Sequence, residues 1–476
     1  MVGITSYGAY IPIYRLSRAE IARAWEKNAG AGEKAVANYD EDSLTMAVEA
    51  AIDCLNGMDR CLVDNLYFAT TTPVYGEKQN ASIIAAVADL REDIFASDVT
   101  GSIRSATIAL KMAVDAIKAG SAKQVLVTAA DLRLGPQNSE FEATFGDGAG
   151  ALLLGDSNII ATIDESYSIS SEFLGQWRKA KDYYVQCWED RFVREEGYFK
   201  FLPRVVFELL KKNKLAPKDF TKLILYAPDA RQHRAMAKEL GFDYKTQVQD
   251  PMFDCLGNSG VAFTPMMLVA ALEEANPGDT ILLAGYGDGA DAFVLRVTDE
   301  IKKVKNKRGI KRHLESKMPL SNYEKYLHFR KFIEFEGDKR PPPPTYLPLQ
   351  WRERHDIYRC YGSKCRQCGT IQYPIQRVCV DCQAKDDYDE TRLSDQKGKI
   401  FTFSMDDRAN VAELPLVLNI INFDEGGRFY STLTDRDIKK VEVGMPVELT
   451  FRKMHEEGGL VNYFWKSRPI RVKQGE

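Results

Sequence analysis

Two stretches of the sequence decide the fold, TFGDGAGALLLGD (144–156) and AGYGDGADAFVLRV (284–297). Each contains a G-D-G turn followed by an apolar run that is typical of a buried strand. Each also follows another predicted strand, Lys123–Ala129 in the first case and Thr280–Ala284 in the second. A repeat of roughly 140 residues is far longer than the 20–50 residues of a solenoid unit. The pattern therefore predicts two duplicated half-domains packed face to face.

Residues 1–300 alternate short apolar runs with helical patterns. The pattern predicts further strands at Asp64–Ala69 and Ala149–Leu154, and helices at Asp42–Leu55, Gln79–Leu90 and Arg104–Ala119. Asp42 is a suitable N-cap for the first helix. This alternation predicts a layered α/β domain with a mainly parallel sheet. The alternative to a duplication is that the two G-D-G turns arose by chance. The matching order of elements in the two halves argues against a chance origin.

Composition excludes several classes of protein. The 476 residues are 45% hydrophobic and 28% charged, which is ordinary for a globular protein of two to four domains. The formal net charge of -4 argues against a nucleic-acid binder. No apolar run reaches the roughly 18 residues of a membrane span. The N-terminal stretch MVGITSYGAYIPIYRL predicts a strand and lacks the features of a signal peptide, so we expect a cytoplasmic protein without membrane contact.

Four of the nine cysteines form a metal-binding pattern, Cys365-x2-Cys368 and Cys379-x2-Cys382. Each pair fits a tight turn that directs two thiolates at one ion, and four thiolates complete the closed tetrahedral shell of structural zinc. Four free buried cysteines are the alternative. Cys360 is close in sequence, but its spacing suits neither pair. The remaining cysteines are scattered, which predicts buried thiols and no disulfide framework.

The composition changes after residue 300. The run KKVKNKRGIKRH is strongly basic and predicts a solvated face rather than a phosphate site, and SNYEKYLHFRKFIEF predicts an amphipathic helix. Pro341–Pro344 must be extended, because proline fixes φ and lacks an N–H. From Gly398 the pattern alternates with period two. The five runs KIFTFSM, LPLVLNIINF, RFYSTLT, PVELTFRKM and LVNYFWKSRPI predict a small barrel of the OB type.

Several motifs resemble those of hydroxymethylglutaryl-CoA synthase, a family of the thiolase superfamily. The motifs are GAYIPIYRLS (8–17), SDVTGSIRSATIALKMA (97–113), FGDGAGALLLGD (145–156), EGYFKFLP (196–203), LGNSGVAFTPMMLVAALEEANPGDTILLAGYGDGADAF (256–293) and EKYLHFRKFI (324–333). The resemblance implies the duplicated five-layer α/β/α/β/α thiolase fold. Residues 351–476 resemble the zinc-ribbon/OB domain that accompanies thiolases, through the ribbon, GKIFTFSM (398–405) and VGMPVELTF (443–451).

Together these features predict the domain boundaries. The thiolase-like domain spans 1–337, with halves 1–158 and 159–300 followed by a C-terminal helix. A proline-rich linker covers 338–350. A rubredoxin-like zinc ribbon spans 351–390, and the OB barrel spans 391–476. The resemblance further implies a homodimer, and it associates the ribbon and barrel with acyl-CoA binding and with holding an assembly together.

The resemblance fails at the residues that perform the family's acyl-enzyme chemistry. That chemistry uses a cysteine at a helix N-terminus, a glutamate base and a histidine. The matching positions here are Ile103, Thr71 and Tyr226. Asn258 in the G-N-S turn survives, and in the family this asparagine hydrogen-bonds the thioester or its oxyanion. Cys255 is the least implausible substitute nucleophile, although core packing is the favoured interpretation.

Two functional hypotheses remain open. The first is an enzyme that makes or breaks a carbon–carbon bond of a CoA thioester by aldol chemistry without an acyl-enzyme. It would use Tyr226 as the acid, Asn258 for the thioester oxygen and Tyr286 as a second phenol. Tyr226 could instead simply end a strand. The second hypothesis is a non-catalytic CoA-binding subunit of a thiolase complex. Candidate substrate-binding residues under either hypothesis are Ser102, Thr71, Arg15, Arg178 and Arg191.

Overall fold

The computed structural model describes residues 1–304, 307–333 and 343–471. These residues form two compact units. The first consists of Met1–Ala37 and Asp42–Tyr326, and the second consists of Asn38–Glu41 and the described residues from Leu327 onward. Within the described ranges, no helix has the length and apolar character needed to cross a membrane.

The first unit is a mixture of strands and helices. Its strands are β1 (Gly3–Tyr10), β2 (Tyr14–Ser17), β3 (Glu33–Val36), β4 (Asn65–Ala69), β5 (Phe95–Val99), β6 (Val125–Asp131), β7 (Gly148–Gly155), β8 (Ala161–Ser170), β9 (Gln176–Trp177), β10 (Gln186–Cys187), β11 (Lys222–Leu225), β12 (Thr280–Tyr286), β13 (Gly289–Val297) and β14 (Met318–Pro319). The helices that begin in it are α1 (Arg18–Ala24), α2 (Ser43–Leu55), α3 (Asn80–Val87), α4 (Ser105–Lys118), α5 (Glu140–Thr144), α6 (Asp190–Phe192), α7 (Phe199–Asn213), α8 (Ala230–Glu239), α9 (Phe263–Glu274), α10 (Lys311–Glu315) and α11 (Tyr323–Phe329).

A nine-stranded sheet carries the duplication that the two G-D-G stretches predict. Its strand order is β11-β12-β13-β8-β1-β7-β6-β4-β5. In the first half, β4 is parallel to β6, β6 antiparallel to β7, and β7 antiparallel to β1. The second half repeats these relations with β11, β12, β13 and β8. The halves join where β1 pairs antiparallel with β8.

The prediction of a mainly parallel sheet is wrong. Parallel pairing is limited to β4–β5, β4–β6 and β11–β12, and the other pairs of this sheet are antiparallel. The G-D-G turn at 287–289 explains part of the difference. It joins β12 directly to β13 as a hairpin, whereas a parallel pair needs a long crossover connection.

Helices complete the layers around the sheet. One outer helix, α2, covers β1, β6 and β7, and its counterpart α7 covers β8, β12 and β13. Between the halves lie α4, which packs on β4, β5 and β6, and α9, which packs on strands of both halves. The five layers are the two halves of the sheet, the central helices α4 and α9 between them, and the outer helices α2 and α7. This arrangement confirms the predicted thiolase fold class.

Glycine turns bring the two halves into backbone contact. Gly146 lies so close to Leu256 that a methyl group on Gly146 would overlap the Leu256 carbonyl oxygen. A backbone bridge from Phe145 to Asn258 continues this contact. On the other side, a Cβ on Gly287 would stand 2.9 Å from Ser102 Oγ. Each G-D-G turn therefore packs on the segment that precedes the central helix of the opposite half.

Most predicted elements of the first unit are found within a few residues of their predicted ends. Asp42 is the N-cap of α2, where its carboxylate accepts a hydrogen bond from the Thr45 N–H in a capping box. The basic run agrees with the predicted solvated face at Lys302, Lys303, Lys311 and Arg312, which are exposed, and departs from it at Lys307. Lys307 donates hydrogen bonds to the carbonyls of Asp53, Cys54 and Asn56, so it caps the C-terminal end of α2 rather than lying on a solvated face.

The predicted linker is partly helical. Its proposed start and the domain end at 337 lie outside the described residues, as do the first two prolines of the predicted extended run 341–344. Helix α12 (Leu347–Arg352) already forms within the span predicted as linker. Proline at the beginning of this helix is well tolerated, because the first N–H groups of a helix have no intrahelical partner.

The second unit contains a ribbon and a barrel. Its strands are β15 (Tyr361–Cys365), β16 (Ile371–Gln372), β17 (Tyr388–Arg392), β18 (Lys397–Asp406), β19 (Leu416–Phe423), β20 (Arg428–Thr432), β21 (Pro446–Glu457) and β22 (Leu460–Pro469). The first three form one sheet, and the last five form another in the order β20-β19-β18-β21-β22. A bridge from Leu433 to Ser467 brings the two edges of the five-stranded sheet together. The five predicted strands are all present.

A buried cluster of charges ties residues 38–41 to the barrel strands within the second unit. Arg452 is fully buried. Its guanidinium lies 3.1 Å from Asp40, 2.9 Å from Glu41 and 2.6 Å from Asp435. Lys466 Nζ contacts the other Asp40 oxygen at 2.9 Å. These cations hold the pKa of Asp40 at about 2 against the opposing effect of burial. The cluster is stable only while every charge has a partner.

Replacing Gly146 by alanine should destabilise the first unit. The added methyl group would overlap the Leu256 carbonyl, and overpacking against backbone typically costs about 1–3 kcal/mol. Calorimetry should show a lower unfolding temperature for Gly146→Ala. Gly76→Ala is the matched control, since a Cβ at Gly76 meets nothing within 4 Å. Equal stability of the two variants would contradict the close contact.

Replacing Arg452 by methionine should destabilise the second unit by about 3–5 kcal/mol, because it leaves buried carboxylates without their cation. The loss should appear in the calorimetric transition of that unit. Arg366→Met removes an exposed ion pair with Asp389 and should leave the transition nearly unchanged. Similar transitions for both variants would show that the buried cluster does not support the fold.

Candidate active site

A cavity of about 390 Å³ lies in the first unit and is lined by residues of both halves. It brings together six residues that the sequence analysis selected, although they are far apart in the chain. These are Thr71, Ser102, Arg178, Tyr226, Asn258 and Tyr286. Ile103, at the position that matches the family's nucleophilic cysteine, also lines it.

Tyr226 follows β11 and is almost completely buried. Its phenol oxygen accepts a hydrogen bond from Asn258 Nδ2 at 3.2 Å. Burial raises the pKa of Tyr226, while the positive charge of Arg133 and the hydrogen bond from Asn258 act in the opposite direction. The phenol therefore stays protonated at neutral pH. The phenol can donate its own hydrogen while it accepts from Asn258, and Tyr226 lines the cavity, where a ligand could accept that hydrogen.

The Asn258 side chain forms hydrogen bonds with nearby protein groups, so its amide is not a free donor toward the cavity. Its Nδ2 lies 3.2 Å from Tyr226 Oη and at the same distance from the carbonyl oxygens of Ala227 and Pro228. Its Oδ1 accepts the Gly260 N–H at 2.9 Å. In this arrangement the amide fixes the phenol of Tyr226. The predicted contact of Asn258 with a thioester oxygen stays a prediction.

Thr71 is held by a carboxylate behind it. Its N–H and hydroxyl donate to Asp131 at 2.7 and 2.9 Å. Asp131, at the end of β6, is fully buried and also accepts from Thr70, Thr72 and the Val261 N–H. Asp131 thus connects the loop after β4 to the entry of α9 in the other half. The hydroxyl of Thr71 is a poor substitute for the glutamate base, because a neutral alcohol takes up a proton far less readily than a carboxylate.

Tyr286 is the second phenol of the cavity. Its ring stacks on that of Tyr226 with centroids 6.4 Å apart, and burial raises its pKa. A π-helical turn at Val193–Tyr198 passes beside it. Gly197 in this turn permits the approach, because a Cβ there would collide with the Tyr286 hydroxyl. Such turns are frequent at functional sites.

Two predicted arginines do not reach the cavity lining. Arg15 is buried at β2, where its Nη1 donates to the carbonyls of Pro12 and Tyr14. Arg191 is exposed and pairs with Glu195. Arg178 does line the cavity, with Nη2 donating to the Thr71 carbonyl at 2.6 Å. The substrate-binding roles predicted for Arg15, Arg178 and Arg191 stay predictions.

No activated thiol is found at the cavity among the described residues. Ser102 and Ile103 precede α4, and the Ile103 side chain carries no nucleophile. Cys187 lines the cavity, but burial raises its pKa and keeps the thiol protonated. Cys255 is absent from the lining, and burial raises its pKa as well.

Sequence analysis missed Arg133 and Glu140. Arg133 lines the cavity, is only 6% exposed and stacks 4.3 Å from the Phe145 ring. Glu140 begins α5 and keeps an exposed side chain, and partial desolvation together with the charges of Asp229 and Asp190 raises its pKa. The available signal was a charged pair, Asp131 and Arg133, directly after an apolar strand. Strand ends of this kind often carry binding groups.

The four predicted metal ligands converge in the second unit. Cys365 Sγ lies 3.5 Å from Cys382 Sγ, and Cys368 Sγ lies 3.5 Å from Cys379 Sγ. All four sulfurs are within 4.8 Å of one another. Sulfurs placed about 2.3 Å from one tetrahedral zinc ion would stand roughly 3.8 Å apart. The cluster could therefore hold zinc with only small adjustments.

Two similar turns create this cluster. Gly369 N–H donates to the Cys365 carbonyl at 2.9 Å, and Gln383 N–H donates to the Cys379 carbonyl at 3.1 Å. Both donors have positive φ, 78° and 61°. Cys360 lies outside the cluster and is buried, and burial raises its pKa.

The fold and the cavity define a protein of the thiolase superfamily, and comparison with known proteins agrees. Residues 97–170 match the model for 3-oxoacyl-[acyl-carrier-protein] synthase III, and 210–297 match its C-terminal model. Residues 390–452 match "ChsH2, C-terminal OB-fold domain".

Curated relatives identify the family. Hydroxymethylglutaryl-CoA synthase of Methanocaldococcus jannaschii is 32% identical over 70% of this chain and 100% of its own length. The enzyme of Caldivirga maquilingensis is 33% identical over 70% of this chain and 98% of its own length. This chain therefore belongs to the hydroxymethylglutaryl-CoA synthase family.

Solved structures share the fold of the first unit. A hydroxymethylglutaryl-CoA synthase complexed with CoA superposes with a TM-score of 0.63 at 20% identity, covering 71% of this chain and 92% of that one. The synthase III of Aquifex aeolicus gives 0.57 at 23% identity, covering 62% of this chain and 100% of that one.

The cysteine cluster predicts one zinc ion per chain, measured by plasma mass spectrometry. Cys365→Ser and Cys379→Ser should each lose the metal and lower the unfolding temperature of the second unit, because a structural site binds metal only in the folded state. Cys61→Ser is the control, since Cys61 is exposed and lies far away in sequence. Full zinc content in either ligand variant would rule out the four-sulfur site.

Proposed function

We propose that this protein forms or cleaves a carbon–carbon bond of a CoA thioester by aldol chemistry, without a covalent acyl-enzyme. The supporting observation is the buried, protonated Tyr226 in the cavity lining, whose oxygen accepts a hydrogen bond from Asn258. The thioester is inferred from the family and from a fold relative solved with CoA. The apolar Ile103 before α4 is consistent with chemistry that needs no nucleophile.

Condensation requires a base and an acid. Glu140 is our candidate base, because it lines the cavity and its raised pKa makes it a stronger base than an ordinary glutamate. Three other carboxylates line the cavity. Asp190 pairs with Arg194, Asp229 accepts hydrogen bonds from Gln232, and Asp288 lies in the G-D-G turn. Glu140 would take a proton from the α-carbon of the thioester, and the resulting enolate would attack a carbonyl carbon. The alkoxide that forms would then take the proton of Tyr226.

The second unit has a structural role in this proposal. Zinc at the four cysteines would fix the ribbon, and its closed thiolate shell would leave no position for water or substrate. We expect the ribbon and barrel to assist CoA binding, and we expect the thiolase-type domain to form a homodimer. Neither role involves nucleic acid or a membrane.

A second candidate function is favoured by one observation, the isoleucine at the nucleophile position. Here the chain would be a non-catalytic CoA-binding subunit of a thiolase complex. Purification from the native organism with mass spectrometry of co-eluting proteins separates the two. A stoichiometric thiolase with its own active cysteine would support the subunit role, and a homo-oligomer that binds CoA thioesters alone would support the aldol enzyme.

Exchange of the α-protons of acetyl-CoA in D2O tests the enolisation step without knowledge of the second substrate. Wild-type protein should incorporate deuterium, and Glu140→Gln should slow incorporation by about 10²–10⁴-fold, the usual contribution of a general base. Tyr226→Phe should retain exchange, since the phenol acts only after the carbon–carbon bond forms. Glu92→Gln, at an exposed glutamate, should match wild type.

Absence of exchange in the wild-type protein, with glutaryl-CoA as well as with acetyl-CoA, would favour the subunit role. If the exchange rate is unchanged in Glu140→Gln, Glu140 is not the base. The aldol proposal would then require another carboxylate as the base. Loss of exchange in Tyr226→Phe would instead place the phenol in the enolisation step.

A further inference from the structure

Arg133 has an unpaired charge inside the cavity. Its Nη2 donates to Gln176 Oε1 at 3.0 Å, and its guanidinium lies over Phe145. Its Nη1 is buried and has no hydrogen-bond partner. Within the described residues, no carboxylate lies within ion-pair distance of this side chain. A guanidinium has five N–H donors, so most of its donor capacity is unused.

Several other arginines with little exposure, among the described residues, have acidic partners. Arg104 pairs with Asp291 at 3.0 Å, Arg436 with Glu413 at 2.9 Å and Arg468 with Glu448 at 2.9 Å. This is the expected pattern, because an uncompensated buried charge is strongly unfavourable. Arg133 departs from it at a cavity wall, where a ligand can supply the missing anion.

The nearest acidic residue in sequence does not fill that role. Both oxygens of Asp131 are occupied by N–H and O–H donors of Thr70, Thr71, Thr72 and Val261. Gln176 and Phe145 meanwhile restrain the guanidinium from either side. A fixed, planar donor with free N–H groups matches the geometry of a carboxylate.

We propose that Arg133 binds a carboxylate on the substrate, so that the thioester used here carries an acyl chain with a second, anionic end. This inference rests on the proposed function for its CoA thioester. Arg133 and Tyr226 both line the cavity, and the positive charge of Arg133 acts on the Tyr226 phenol by lowering its pKa. A carboxylate bound by Arg133 would therefore lie beside the proton donor, close to the reacting carbon, and would select dicarboxylic over neutral acyl groups.

Paired ligands test the inference by calorimetric titration, with no need for turnover. Malonyl-CoA is compared with propionyl-CoA, and glutaryl-CoA with valeryl-CoA, so that each pair differs only in the terminal group. Wild-type protein should bind at least one carboxylated member more than about 10-fold tighter than its neutral partner, as expected for a charge-assisted bidentate contact. Arg133→Gln should abolish this preference while retaining the neutral thioester.

Arg133→Lys keeps the charge without the fork and should retain part of the preference, which covers the case in which Arg133→Gln fails to fold. Arg234→Gln is the control, because the Arg234 guanidinium also stacks on an aromatic ring, 5.0 Å from Tyr244, but does not line the cavity. It should behave as wild type.

Equal binding of both members of each pair by wild type would overturn the carboxylate inference and leave the proposed function standing. An equal loss for both members in Arg133→Gln would also overturn it, since Arg133 would then contact an oxygen common to all thioesters. Failure of every thioester to bind wild type would reject the proposed function as well, so the two failures are distinguishable.

Discussion

The architecture depends on the contact between backbones at the two glycine turns. Gly146 packs against the Leu256 carbonyl, and Gly287 packs against Ser102. Side chains at these positions would push the halves apart, because protein interiors do not accommodate an extra methyl group against backbone. The contacts place the segments before α4 and α9 opposite each other. The cavity exists because these two segments, one from each half, face the same space.

Buried polar groups then set the chemistry of that space. Asp131 fixes the threonine loop of one half to the entry of α9 in the other through N–H and O–H donors. Asn258 fixes the Tyr226 phenol by the same principle. These groups have partners at fixed distances, whereas Arg133 Nη1 is buried without a hydrogen-bond partner. In a cavity of low polarity such a donor acts strongly on an oxygen that gains negative charge.

The second unit is stabilised by other means. A ribbon of three short strands buries little apolar surface, so four thiols that converge on one point are a natural substitute for a larger core. The barrel buries a group of opposite charges around Arg452, including carboxylates from residues 38–41. Charges of this kind require complementary partners at fixed distances, which makes the pairing specific.

Patterns local in the chain were predictable. The period-two runs gave all five barrel strands, the C-x2-C pairs gave the metal ligands, and the repeated G-D-G turns indicated the duplication, because each depends on short-range backbone and side-chain preferences. The parallel or antiparallel direction of the strands was not predictable in the same way, because strand pairing depends on contacts between segments that are far apart in the sequence. The predicted linker became helical at α12, where proline is compatible with a first turn as well as with an extended chain.

Within the cavity, the sequence by itself determined which residue types stand at the positions that a known family uses, namely Ile103, Thr71, Tyr226 and Asn258. Only the tertiary structure decided what those side chains do. In the structure, the Thr71 hydroxyl donates a hydrogen bond to Asp131, and Arg15 donates to backbone carbonyls. Arg133 lies near enough to Tyr226 to affect the pKa of its phenol. The physical reason is that hydrogen bonding and desolvation depend on distances between residues a hundred or more positions apart, which no local pattern encodes.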